Sequence, residues 1–307
     1  MAKFFKSNLF GQLLLLLTTI VWGSAFIILK TTIENVPKYY VLGLRFLPSG
    51  LLLLLIFIKR FKKVSSSAVK HGIILGLILA CAYVLQTIGV ELTTASRNAF
   101  VTASYCVITP FLAWLILKEK PKAYNLLSAV ICIVGIGFVA LSAVSSGQEN
   151  AKNTLIGDAL TLACAIFYAL QIIFIDKYKK DDSIVILVFE LITVGVFCLI
   201  LSLIFELPLG IQNYALNLEE LLKIGYLTLV CTLFAQMGMI YGQRLTTANQ
   251  ASLILSLEAV FGTLFSVLIG DEKLTTMLII GFAIVFVAML INELKWNPFK
   301  NLLNKPN

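Results

Sequence analysis

Charge is what this sequence has least of. Of its 307 residues only 13% are Asp, Glu, Lys or Arg, against about 25% in a soluble domain. With 59% of the chain apolar, too little solvating surface remains to disperse a fold of this length in water. Histidine is nearly absent, His71 being the single one. The six cysteines (Cys81, Cys106, Cys132, Cys164, Cys198 and Cys231) each stand inside an apolar run, and none forms a CxxC. Buried structural thiols are therefore expected over disulfides or metal ligands. There is no G-x-x-x-x-G-K-[ST] run, so direct ATP hydrolysis by this chain is not expected. The dense cluster of acids and histidines needed for chemistry at a membrane surface is missing as well. The expectation is no enzyme, no metal and no cofactor.

What the sequence does have is long apolar runs. They cover approximately 9–29, 39–58, 71–92, 96–117, 123–143, 155–175, 184–205, 221–243, 249–269 and 275–292. About 20 apolar residues cross the hydrocarbon core as a helix, so these runs predict an all-α membrane protein of ten transmembrane helices. Lys3 and Lys6 ahead of the first run mimic a signal peptide, but the run continues to Lys30 and contains Trp22, which fits a retained span. The net charge of +8 sits in short basic runs between spans, not on a face interleaved with aromatics, so nucleic acid is not an expected partner. With the N-terminus inside, 17 of the 24 Lys and Arg residues fall on cytoplasmic segments. The positive-inside rule then predicts a multi-pass protein of the cytoplasmic (plasma) membrane with both termini cytoplasmic.

The chain also repeats itself. Gly89-Val90-Glu91-Leu92-Thr93-Thr94-Ala95 returns as Gly242-Gln243-Arg244-Leu245-Thr246-Thr247-Ala248, and at the same offset Glu119-Lys120 meets Glu272-Lys273. Two units follow, residues 1–147 and 148–307, of five helices each. An odd number of spans per unit turns the second upside down. Such inverted repeats are a recurring plan of secondary transporters, although duplication also serves scaffolding.

Several of these residues carry a family resemblance. Val21-Trp22-Gly23-Ser24-Ala25-Phe26 with Lys30 is similar to a W-G-S-x-F…K opening, and Leu44-Arg45-Phe46 to an L-R-F second span. Phe100 precedes Val107-Ile108-Thr109-Pro110-Phe111-Leu112-Ala113-Trp114 in the fourth run, which closes with Glu119. The ninth holds Ser256-Leu257-Glu258-Ala259-Val260-Phe261-Gly262 and closes with Glu272. In order and spacing these resemble the drug/metabolite transporter superfamily, EamA type, over nearly the whole chain. The resemblance implies a ten-helix bundle in which the first four helices of each half surround a central cavity, the fifth and tenth being peripheral. It also implies substrates among amino acids, sugar-related solutes and other metabolites. Ala259 departs from the pattern, standing where many relatives have proline, so no kink is assumed there.

Candidate site residues are the polar groups stranded in the runs. Glu258 lies near the bilayer midplane, where an acid is costly and usually faces a cavity or a partner; it is a proton carrier, a cation binder or a hydrogen-bonded strut. Its repeat mate Tyr105 shares one helix face with Asn98, Thr102 and Thr109. Tyr83 with Gln86, and Gln236 with Gln243, make similar stripes; Trp22, Ser24, Tyr168 and Gln171 are further candidates. Such stripes line a cavity or satisfy neighbouring helices. Arg45 and Glu190 are repeat equivalents, as are Glu91 and Arg244, with signs exchanged. Inversion separates Arg45 from Glu190 in depth, so the expected pairs are Arg45–Glu91 and Glu190–Arg244, as static struts or as gate latches. Pro48 is expected to fix a bend, and Pro110 either to do the same or to free a carbonyl for a site.

Together these residues predict a secondary carrier that moves a small organic metabolite (an amino acid, an amine or similar) across the membrane, with export favoured and alternating access as the mechanism. The partners expected are a small-molecule substrate and the lipid bilayer; monomer and homodimer both fit. The alternatives are a membrane-embedded enzyme acting on a lipid intermediate, which would need the missing cluster of acids and histidines, and a passive channel, which would place charge rings or filter loops along its axis.

Overall fold

A computed structural model describes residues 7–118, 120–145, 151–178, 180–210, 214–246, 254–270 and 272–294. Among them there is no strand. In chain order the helices are α1 (Asn8–Ile33), α2 (Lys38–Ile56), α3 (Ser66–Leu92), α4 (Ala95–Leu117) and α5 (Ala123–Ser145). They continue as α6 (Ala151–Lys177), α7 (Ser183–Glu206), α8 (Leu218–Gln243), α9 (Ile254–Ile269) and α10 (Thr276–Glu293). Among the described residues, seven are long and apolar enough to cross a membrane; shorter apolar stretches lie in α5 (Ala123–Val139), α9 (Ile254–Ile269) and α10 (Thr276–Asn292). Their starts follow from local chemistry. Ser7, Ser65, Thr94, Asp182 and Thr275 each accept a hydrogen bond from a first-turn N–H, and Asn217 with Glu220 closes a capping box.

The outward faces are apolar. Leu55, Leu115, Ile133, Phe234 and Leu268 are each at least two-thirds exposed. Surface this apolar has lipid as its solvent, and the chain is a multi-pass membrane protein.

Small residues set how the helices meet. A Cβ on Gly50 would lie 2.9 Å from the Ile192 nitrogen, and one on Gly195 would lie 2.4 Å from the Leu47 nitrogen. Rising numbers in α2 thus meet falling numbers in α7, so the two run antiparallel in backbone contact. The same arrangement holds between α5 and α10, where Gly135 faces Val285 and Gly281 faces Val139. Gly11 of α1 meets Gly242 of α8, and Gly89 of α3 meets Gly157 of α6. Glycine at such contacts lets helices approach closely enough for dispersion to hold them without a hydrophobic drive. Helices α1, α8 and α9 thereby gather on one side of the bundle and α3, α4 and α6 on the other, with α4 also against α9.

Both in-span prolines free a carbonyl four residues back, and in each case another helix satisfies it. Pro48 leaves Leu44 O, which accepts from Thr228 Oγ1 at 3.2 Å. Pro110 leaves Cys106 O, which accepts from Asn292 Nδ2 at 2.8 Å. Pro110 therefore ties α4 to α10 and presents no carbonyl to a site. The interruption of α4 lies elsewhere, at Ser104, where i→i+3 bonds (Ser104 N to Val101 O, Val107 N to Ser104 O) replace the regular ladder. Helix α9 is interrupted in the same way at Leu257, through Leu257 N to Ile254 O and Val260 N to Leu257 O. The break forms without a proline, two residues ahead of Ala259. Ser104 and Leu257 are repeat equivalents by the sequence offset, and Tyr105 and Glu258 are the first residues beyond the two breaks.

Candidate functional site

A cavity runs between α1, α2, α3, α4, α6, α8 and α9. Ten sequence-predicted residues line it: Trp22, Tyr83, Gln86, Thr102, Tyr105, Tyr168, Gln171, Gln236, Gln243 and Glu258. Arg45 also reaches it, as do Phe26, Met239 and Leu255 among the apolar wall residues. Tyr105 and Glu258 each follow a tightened turn, with Glu258 in the first turn of its half-helix, and both line the cavity. Glu258 is 6% exposed.

A hydrogen-bonded wall joins α3, α4 and α6. Gln86 Nε2 donates to Thr102 Oγ1 at 3.2 Å, and Tyr168 OH donates to Gln86 Oε1 at 3.0 Å. The Tyr83 and Tyr168 rings meet edge-on with centroids 5.7 Å apart. Trp22 Nε1 donates to Cys231 O at 3.0 Å, which holds the indole against α8. Gln171 Nε2 donates to Glu190 Oε1 at 2.5 Å. Glu190 thus stands behind the lining as the partner of a cavity amide.

Of the predicted polar groups, Thr109, Asn98 and Ser24 lie off the cavity, Thr109 Oγ1 donating back to Tyr105 O of its own helix at 2.7 Å. Asn98 is buried, with Nδ2 donating to Thr161 Oγ1 at 2.7 Å and to Gln86 O at 3.2 Å. Ser24 bonds Tyr226 OH at 2.8 Å and Val21 O at 2.7 Å. Both join helices.

The expected Arg45–Glu91 pair does not form. Glu91 pairs with Lys38 at 2.5 Å, and Arg45 Nε donates to Thr232 Oγ1 at 2.7 Å. Depth is the reason: Lys38 opens α2 at the level where α3 ends, whereas Arg45 lies two turns, roughly 10 Å, further along. Of the second expected pair, the Arg244 side chain lies outside the described residues, and Glu190 is held by Gln171.

Sequence reasoning missed a buried ion pair. Arg97 donates through Nε (3.2 Å) and Nη2 to Asp158 and through Nη1 to Ser142 Oγ at 2.7 Å, while Thr93 Oγ1 donates to Asp158 at 3.1 Å. The available signal was Asp158, an acid within the sixth apolar run. Close to this pair, Lys30 Nζ donates to Val90 O and Thr93 O, and Glu272 accepts from the Ser96 amide and hydroxyl. Polar bonds therefore tie α1, α3, α4, α5, α6 and the segment after α9 together at one end of the bundle. Toward the opposite end, His71 Nδ1 lies 2.6 Å from Asp181, with the Tyr178 ring stacked on the imidazole at 3.7 Å. Hydrogen bonds from His71 and then Ser67 hold the Asp181 carboxyl below the usual carboxylate range.

A family model for EamA-like transporters matches the chain twice, over residues 9–141 and 155–293. An uncharacterized transporter of Archaeoglobus fulgidus is 29% identical over 295 residues, covering 94% of this chain and 87% of its own length. The uncharacterized transporter YoaV of Bacillus subtilis is 22% identical over 278 residues, covering 89% and 93%. A solved crystal structure, 17% identical, superposes with a TM-score of 0.65 over 95% of this chain and 98% of that one, so the two share a fold. With both matched regions and nearly all the described helices accounted for, the chain belongs to the EamA-like transporter family.

Proposed function

We propose that the protein is a secondary carrier moving a small organic metabolite (an amino acid, an amine or similar) across the cytoplasmic membrane, in the export direction, by alternating access. The observation that carries this reading is the cavity itself. Its walls come from both matched regions, and the equivalent breaks of α4 and α9 deliver Tyr105 and Glu258 to it. Interrupted helices around a central site are how transporters expose polar groups within a membrane.

In this reading the ten helices form two five-helix halves, mutually inverted, with both termini cytoplasmic. The antiparallel contacts of α2 with α7 and of α5 with α10 support it, because each joins a helix to its own repeat mate. The matching contacts Gly11–Gly242 and Gly89–Gly157 support it further, since each exchanges with the other under the repeat. Rocking one half against the other opens the cavity to each side in turn. The bonds of Lys30, Ser96 and Arg97 hold one end shut, and must part for the cavity to open there. Glu258 exchanges a proton or binds a cationic group as the cavity changes sides.

Reconstitution into liposomes with amino acids, amines and nucleosides, with and without a pH gradient, tests the reading. Saturable flux that Glu258→Gln abolishes or uncouples from pH is the expected result. Flux that does not saturate would make the protein a channel, and absence of flux for every class would remove the carrier reading.

A further inference from the structure

We propose that Arg45 is the anion-recognition residue of the cavity, and that the solute it receives carries a carboxylate, so that an amino acid is bound and its corresponding amine is not. This deepens the carrier reading and rests on the cavity being the substrate site.

Arg45 is 2% exposed, lies midway along α2 and lines the cavity. Three contacts fix its guanidinium. Nε donates to Thr232 Oγ1 at 2.7 Å, and the guanidinium carbon lies 5.1 Å from the Phe46 ring centroid and 5.0 Å from that of Tyr83. Thr232 is itself set by a π-helical stretch of α8, where its hydroxyl donates to Leu227 O five residues back at 2.9 Å. The two terminal nitrogens are left over. Among the described residues Nη1 and Nη2 have no hydrogen-bond partner, and no carboxylate lies within salt-bridge distance of Arg45. Neither nitrogen is among the sealed, unpartnered polar atoms of the interior, which are Thr87 Oγ1, Asn98 Oδ1 and Thr263 Oγ1. They therefore face cavity space.

A buried charge without a partner is costly, and retaining one against the cavity suits a ligand that supplies the counter-charge. With Nε already bound, the Nη1–Nη2 edge remains as a flat two-donor fork that matches the two oxygens of a carboxylate. A single guanidinium with no second cation beside it among the described lining residues favours a monoanion over a phosphate dianion. Glu258 lines the same cavity, offering an acidic pole for an ammonium group, while Glu190 is taken by Gln171. One cationic fork and one acid between aromatic and amide walls complement a small zwitterion.

The test is binding to the purified full-length protein in nanodiscs, by calorimetry and thermal protection. Two matched sets serve as probes: phenylalanine, 3-phenylpropanoate and phenethylamine; and leucine, 4-methylpentanoate and 3-methylbutan-1-amine. The amino acids and carboxylates should bind and the amines should not. Arg45→Gln should weaken carboxylate binding about ten- to hundredfold, the range of one charged hydrogen-bonded contact. Arg45→Lys should not restore it, and Thr232→Val, which releases Nε, should weaken it by a smaller factor. If Arg45→Gln does not fold, the Lys and Val variants carry the test. Amines binding as well as their amino acids, no carboxylate binding in either set, or unchanged affinity in a folded Arg45 variant would each overturn the proposal. Carboxylate binding that needs Arg45 without any flux in liposomes would uphold this assignment and remove the carrier reading. Amine flux insensitive to Arg45 would do the reverse.

Discussion

Replacing Asp158 by alanine leaves the Arg97 guanidinium buried without its counter-ion, and the structure allows the cost to be bounded. The two side chains are 4% and 8% exposed, and two guanidinium nitrogens converge on the carboxylate. Breaking a buried pair on one side typically costs about 3–5 kcal/mol, because the surviving charge is stranded. Here Arg97 keeps its bond to Ser142, which places the expectation near the lower end, at about 3 kcal/mol. Removing both partners behaves differently. Arg97→Met with Asp158→Leu fills similar volume and strands no charge, so it should lie within about 1 kcal/mol of the parent or above it. Unfolding in mixed detergent micelles, followed by circular dichroism across a denaturing-detergent titration, measures all three. An Asp158→Ala protein within about 1 kcal/mol of the parent, or a double variant less stable than the single, would refute the view that each of these buried charges compensates the other.

Four further outcomes follow from contacts already described. Gly195→Ala would drive a methyl into the Leu47 backbone at 2.4 Å; a destabilisation of about 1–3 kcal/mol and a weakened α2–α7 contact are expected in the same titration. Gly225→Ala meets nothing within 4 Å in the helix that opens α8, so a gain of about 0.5–1 kcal/mol from helix propensity should appear there. Lys38→Ala removes a partly exposed pair with Glu91 and should cost less than about 1 kcal/mol. The Asp181 carboxyl lies below its ordinary range through His71 and Ser67. Its contribution to stability is therefore present above the ordinary carboxylate value, about pH 4, and is lost as pH falls through the lower folded value. Melting temperatures measured from pH 6 to pH 2 should show that loss in the parent and a shallower one in Asp181→Asn.

The helices were legible in the sequence because each is one unbroken apolar run, and their capped starts fall within a few residues of the predicted ones. The repeat was legible through Gly89 and Gly242, which serve the same close helix contact in their two settings. Ten cavity residues were legible as polar groups stranded among apolar ones, which in lipid have few places to face. Depth was not legible. Pairing Arg45 with Glu91 used repeat equivalence alone, and the start of α2 supplies Lys38 at the right level instead. The helix interruptions at Ser104 and Leu257 were also hidden, since a 3₁₀ turn leaves no mark like that of proline, and Pro110 drew attention to the wrong carbonyl. Thr232 reaches Arg45 only through a π-helical stretch that no spacing rule anticipates. Asp158 carried the same signal as Glu258 and escaped attention because its partner, Arg97, sits just inside the start of α4, where a charge reads as a loop residue.

A cavity that opens alternately to the two sides of the membrane is tested most directly by chemical access to one of its walls. In a variant with the six native cysteines replaced and Gln86→Cys introduced, membrane-impermeant maleimide can be applied to right-side-out and to inside-out vesicles. Labelling from both faces, slowed from each by a bound solute, is the predicted result. Labelling from one face only, under every condition, would mean a one-sided pocket and would contradict alternating access.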